Sequence, residues 1–132
     1  MIVDSSVFVA ILQEEPGYLR YLDTILVAEF AAIPAPNYLE TCMVLAGRKN
    51  QELLPRFDEY LAESKVTIMP FTPGHAKLAA QAFLRFGKGR HPAGLNFGDC
   101  IAYAVSKLEA MPLLYKGDDF ALTDVETAVL IA

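Results

Sequence analysis

The chain has no tryptophan, only two cysteines and no long unbroken apolar run. Cys42 and Cys100 stand alone, without a Cys-x-x-Cys spacing or a Cys–His cluster. That excludes a zinc framework and a disulfide scaffold, and the two read as buried thiols of a cytoplasmic protein. Asp4, Glu14 and Glu15 interrupt the first apolar stretch, so no membrane span is expected. The N-terminus lacks the basic segment of an export signal. Cationic residues are scarce as well: 11 Lys and Arg against 16 Asp and Glu leave a net charge of −5. A general nucleic-acid binder carries the opposite sign. Any contact with a phosphate backbone must therefore rest on a local basic patch and a bound cation. No repeat, linker or low-complexity tract divides the sequence, and residues 1–132 are expected to form one domain.

Apolar residues are what the chain has in quantity, at 54% with a mean hydropathy of +0.31. A chain of 132 residues can bury a core without staples. The excess implies a dimer or a partner-binding groove. The apolar patterning predicts short strands alternating with helices. Residues 1–4 form a buried strand ending at Asp4, and Val7–Leu12 a helix with a serine placed to cap it. A helix follows over about Tyr18–Ala28, then a short strand at Ala31–Pro34. From Pro36 the residues Leu39, Cys42, Met43 and Ala46 recur at helical spacing. Gln51–Ser64 reads as a helix and Val66–Met69 as a strand ended by Pro70. Leu78, Ala79, Ala82, Phe83 and Phe86 mark one helical stripe, ended by Gly87. A basic, glycine-rich loop (Gly87–Gly94) precedes a helix from Asn96 to about Glu109. Pro112–Tyr115 is a strand, Lys116–Asp119 a turn and Ala128–Ile131 a terminal strand. This alternation implies a parallel sheet flanked by helices. In such sheets sites form at the C-terminal strand ends, where Asp4 and the Asp118–Asp119 pair fall.

Four separated stretches each carry a carboxylate: Met1-Ile-Val-Asp4-Ser-Ser6, Tyr38-Leu-Glu40, Asn96-Phe-Gly-Asp99 and Lys116-Gly-Asp-Asp119-Phe. Their convergence would suit one hard divalent cation, Mg²⁺ or Mn²⁺, which takes oxygen ligands and keeps several waters. Without it the carboxylates repel one another, and at least one stays protonated. Each residue also has an ordinary reading. Asp4 is placed to cap a helix, although Ser5 or Ser6 can do so and leave Asp4 to the pocket. Ser6 is a cap or orients a carboxylate, and no histidine is paired with it as a base. Glu40 and Asp99 fit the first turn of a helix for dipole reasons. Asn96 is a helix cap or a polar contact inside the site. Only one of Asp118 and Asp119 is expected to face a metal, and Asp124 reads as a cap or turn residue. Lys88 and Arg90, with Arg85 just before, form the one concentrated basic patch, and Lys116 adds to the same surface. Lys88 lacks the following Ser or Thr of a P-loop.

Taken in order, Asp4-Ser-Ser6, Tyr38-Leu-Glu40, the run Phe86–Cys100, and Leu113–Phe120 with Thr123-Asp124 resemble the PIN-domain family, and within it the VapC toxins. The resemblance spans essentially the whole chain. It implies an α/β/α sandwich around a short parallel sheet. It further implies a Mg²⁺- or Mn²⁺-dependent endoribonuclease acting on RNA, a homodimer, and inhibition by a VapB-like antitoxin. Asp4, Glu40, Asp99 and Asp119 then match the acidic quartet, with Ser6, Asn96 and Asp118 supporting it and Lys88 and Arg90 holding phosphates. Asp119 is favoured over Asp118 because it directly precedes Phe120. Two other readings stand beside this one: Asp4 as a phosphoryl acceptor, and a catalytically silent binding module. The first lacks the second acid of an Asp-x-Asp pair.

Overall fold

A computed structural model describes residues 1–47 and 51–131. Four short strands, β1 (Ile2–Val3), β2 (Ala32–Pro34), β3 (Thr67–Met69) and β4 (Leu113–Leu114), pair in parallel in the order β3-β2-β1-β4. Six helices connect and cover them: α1 (Ser5–Leu12), α2 (Tyr18–Val27), α3 (Ala35–Gly47), α4 (Leu53–Glu63), α5 (Pro73–Phe86) and α6 (Phe97–Leu108).

The side-chain period of two divides each strand between two cores. Ile2, Ala32 and Leu113 join one cluster with residues of α5 and α6. Val3, Ile33 and Leu114 join the other with Phe8, Ile25, Leu45 and Phe57 from α1 to α4. Helices on both faces explain why β1, β2 and β4 consist of small and branched apolar residues without polar alternation. The result is the three-layer α/β/α architecture expected from the sequence. β3, at the sheet edge, is the exception: Thr67 and Ile68 are exposed.

The expected terminal strand at Ala128–Ile131 does not form. Pairing with β4 is confined to one bridge between Leu113 and Thr127, with Leu113 N–H on Glu126 O and Ala128 N–H on Leu113 O. β4 is too short to carry the ladder further. The tail instead meets α2, where Thr24 Oγ1 accepts from Ile131 N–H at 3.0 Å and Arg20 Nε donates to Ile131 O at 3.2 Å. Gly87 does end α5, but with φ −69° its backbone is not left-handed. A Cβ there would collide with the carbonyl and ring of Phe83, so the glycine permits a close approach.

β1 leads through α1 and α2 to β2 on one side, while β4 returns to pair on its other side. A crevice therefore opens beyond the C-terminal ends of β1 and β4, as at the switch point of any doubly wound sheet.

Candidate active site

The residue after β1 is Asp4, whose N–H donates to Leu114 O at 2.9 Å and so locks it beside β4. Its extended backbone (φ −76°, ψ 154°) makes it the N-cap of α1, and its Oδ2 accepts from Ser6 N–H at 3.0 Å. Of the two possibilities the sequence left open, Asp4 is the cap and neither serine is. The serines are engaged elsewhere: Ser5 donates its hydroxyl to Glu40 Oε1, and Ser6 Oγ accepts from Lys116 N–H at 3.0 Å. Asp4 caps the helix and faces the crevice at once.

Glu40 reaches the same place from α3. Asn37, one turn earlier and wholly buried, donates through Nδ2 to Glu40 Oε1 at 3.3 Å and to Gly98 O at 3.1 Å. That amide ties α3 to α6. Gly98 is needed here for space, since a Cβ would overlap the Glu40 carboxylate. Asn37 and Gly98 carry no charge and escaped the reading of the sequence. The signal for Asn37 was its position three residues before Glu40 in a first helical turn.

Asp99 stands in the first turn of α6, in a reciprocal capping box. Asn96 N–H donates to Asp99 Oδ2 at 3.1 Å, and Asp99 N–H donates to Asn96 Oδ1 at 2.9 Å. Asn96 is thus the helix cap and at the same time holds the carboxylate of Asp99.

Asp4, Glu40 and Asp99 line one cavity of about 460 Å³, together with Ser5, Ser6, Glu15 and Lys116. Burial raises the pKa of Asp4 to about 7, against the stabilising effect of Ser6 on the anion, and the charges of Asp99 and Glu40 push it the same way. Burial also raises Asp99, with Asp119 and Glu40 contributing repulsion. Asp119 is exposed on the turn after β4 yet close enough to act on Asp99; Asp118 is exposed on the same turn.

The basic loop is not part of this cavity. Its base is pinned by Lys88 N–H on Leu95 O and Leu95 N–H on Phe86 O, both at 3.0 Å. Lys88 and Arg90 are exposed, and Arg90 lies over the Phe83 ring at 5.6 Å. Asp124 is absent from the cavity too. It accepts from Tyr103 at 2.5 Å and from Arg85 and Lys107 at 3.3 Å each, joining the C-terminal segment to α5 and α6. Burial would raise its pKa, but the hydrogen bonds from Tyr103 and Lys107 outweigh that and hold it below the ordinary value.

Among the described residues no three carboxylate, histidine or cysteine side chains converge into a ready-made ion cage. The donor set is nevertheless all oxygen, partly buried and mutually repelling. That suits a hydrated hard cation held by one or two carboxylates better than a fully enclosed ion.

A parallel sheet of order β3-β2-β1-β4 with carboxylates gathered at its switch point defines the class. The chain belongs to the PIN-domain family, whose family model matches residues 1–126. Within it the relatives are VapC proteins. VapC ribonuclease Mb0625 of Mycobacterium bovis and ribonuclease VapC28 of Mycobacterium tuberculosis are each 40% identical over 130 residues, 98% of this chain and 98% of theirs. Ribonuclease VapC30 of M. tuberculosis is 35% identical over 130 residues, 98% of this chain and 99% of its own. The fold is also that of VapC20 of M. tuberculosis, a sarcin–ricin-loop-cleaving toxin. The TM-score is 0.78 at 13% identity, covering 96% of this chain and 97% of that one. VapBC2 of Rickettsia felis, solved bound to a promoter DNA fragment, gives a TM-score of 0.76 at 13% identity, covering 96% of each chain. No helix among the described residues is long and apolar enough to cross a membrane.

Proposed function

We propose that this chain is the toxin of a VapBC-type toxin–antitoxin pair, a divalent-metal-dependent endoribonuclease. One observation carries the reading: Asp4, Glu40 and Asp99, from three separate stretches, line a single cavity at the sheet's switch point. The full-length relationship to VapC ribonucleases supports it.

Asp4, Glu40, Asp99 and Asp119 would hold a Mg²⁺ ion, or Mn²⁺ in its place. When bound, such an ion lowers the pKa of a water and neutralises charge developing on the phosphodiester. The rest falls to the protein's own groups. Ser6 and the α1 N-terminus favour the ionised form of Asp4. Ser5 and Asn37 fix the rotamer of Glu40. Asn96 fixes Asp99. Asp118 sits in the turn that presents Asp119. Lys88 and Arg90, outside the cavity, would contact the RNA backbone further along the strand.

Two partners follow from the same reading. A VapB-like antitoxin would cover the acidic cavity; solved structures of the same fold include toxin–antitoxin complexes from Klebsiella pneumoniae and Rickettsia felis. A second copy of the chain would cover the apolar cavity of about 580 Å³ on α5 and α6, lined by Phe71, Ala76, Ala80, Phe83, Leu84 and Phe97. Phe97 and Leu84 are 83% and 60% exposed, an arrangement that favours burial against an apolar partner.

The test is cleavage of a mixed RNA pool by antitoxin-free protein with Mn²⁺ or with EDTA. Metal-dependent cleavage that Asp99→Asn abolishes without lowering the thermal midpoint is the expected result. Cleavage in EDTA, or undiminished cleavage by the variant, would overturn the reading.

A further inference from the structure

Lys116 is the one cation among the described residues that lines the acidic cavity. Its backbone is fixed beside Asp4. Lys116 N–H donates to Ser6 Oγ at 3.0 Å, two residues after Leu114 O has accepted from Asp4 N–H. Gly117, with φ +101°, turns the chain away immediately afterwards. The anchored backbone therefore keeps Lys116 on the wall of the cavity that the carboxylates line.

Its partner in the cavity is Glu15, with Lys116 Nζ 2.5 Å from Glu15 Oε1. Glu15 reaches it because Glu14 adopts a left-handed backbone (φ 50°) at the end of α1, and Glu15 N–H folds back onto Ala10 O at 2.9 Å. Both side chains are partly exposed, at 37% and 26%. A pair so exposed adds little to stability, so exchange of partners is not costly. RNA brings a phosphate to a cavity lined by Asp4, Glu15, Glu40 and Asp99, which repel it. A cation is wanted there, and Lys116 is in place but already neutralised.

We infer that Lys116 binds a backbone phosphate of the RNA at the mouth of this cavity. Glu15 competes with that phosphate for the same ammonium and sets how tightly RNA is held. The inference rests on the ribonuclease reading above, and it makes Lys116 a positioning residue for RNA and Glu15 its built-in competitor.

The two members of the pair should then have opposite effects, which a purely structural ion pair cannot produce. The experiment uses antitoxin-free full-length protein and a short fluorescein-labelled single-stranded RNA of mixed sequence. Binding is read by anisotropy in EDTA, and KM and kcat are read separately with Mn²⁺. Lys116→Ala should weaken binding about tenfold and flatten the slope of log affinity against log salt by about 0.7, the share of one phosphate contact. It should raise KM with little change in kcat, and Lys116→Arg should restore most of the loss. Glu15→Gln should tighten binding about threefold, and that gain should vanish in the Lys116→Ala background. A Glu15→Gln gain that survives loss of Lys116 would overturn the inference, leaving Glu15 a simple repulsive charge. So would loss of binding in both single variants, or an unchanged Lys116→Ala. Wild-type protein that neither binds nor cleaves RNA would overturn the ribonuclease reading itself, and the inference with it.

Discussion

Asp4 serves two masters, as helix cap and as pocket carboxylate, and its titration reports the conflict. Its pKa in the folded, metal-free protein is about 7 against an ordinary 3.8. A raised acid binds its proton more tightly folded than unfolded. Its contribution to stability is therefore complete below the unfolded value and is lost as pH rises through about 7. Asp99 adds in the same sense and Asp124 in the opposite one, so the measure is the difference between wild type and Asp4→Asn. The expected outcome is a metal-free thermal midpoint that falls between pH 4 and 7 by more in wild type than in the variant. The difference should be on the order of a few kcal/mol, at about 1.4 kcal/mol per pKa unit. Parallel curves would contradict it. A second residue, Gly98, makes the complementary test of space. Gly98→Ala drives a methyl group into the Glu40 carboxylate, and RNA cleavage should fall at least tenfold, of the order expected for a displaced group at a reacting centre.

At the scale of elements, α6 presents its carboxylate through a cap, and α5 offers a control for that claim. Asn96 with Asp99 opens α6, while Thr72 with His75 opens α5, each with reciprocal side-chain bonds. Asn96→Ala and Thr72→Ala should cost similar stability, about 1 kcal/mol each. Only the first should also lower cleavage, because only it releases Asp99; equal cleavage by the two variants would contradict that. What was legible in the sequence follows the same lines. Helices α1 to α6 announced themselves by apolar period and by Pro, Gly or Asn at their ends. The central strands did so as brief apolar runs. Ala128–Ile131 looked like another such run, yet whether it pairs depends on the length of β4 and on Thr24 and Arg20 of α2, distant in sequence. That Asp4 follows a strand and Asp99 opens a helix was also readable, whereas Glu40 lies inside α3 rather than in its first turn. The choice between Asp4 and the serines as the cap was not readable, because Ser5 and Ser6 are drawn off by Glu40 and Lys116, partners no local pattern contains. Asn37 and Gly98 were hidden for a similar reason: their importance lies in a packing contact between α3 and α6.

At the scale of the whole molecule, acidity and apolarity have separate addresses. The acidic cavity lies at the switch point of the sheet, and the apolar one lies on α5 and α6. This is how a chain of net charge −5 can be proposed to act on RNA: Lys116 lines the acidic cavity, Lys88 and Arg90 lie on an exposed loop, and the proposed metal would supply the remainder. It also separates assembly from chemistry. Leu84→Glu, on the apolar face, should convert the proposed dimer into a folded monomer by light scattering, because a charge cannot be buried there without a partner. A dimer that persists would place the interface elsewhere. The measurement that reaches the central claim most directly is cleavage of a mixed RNA pool with Mn²⁺ and with EDTA, for wild type beside Asp99→Asn. Wild type should cleave only with metal, and the variant not at all, at equal thermal stability. Equal cleavage by both, or cleavage untouched by EDTA, would contradict it.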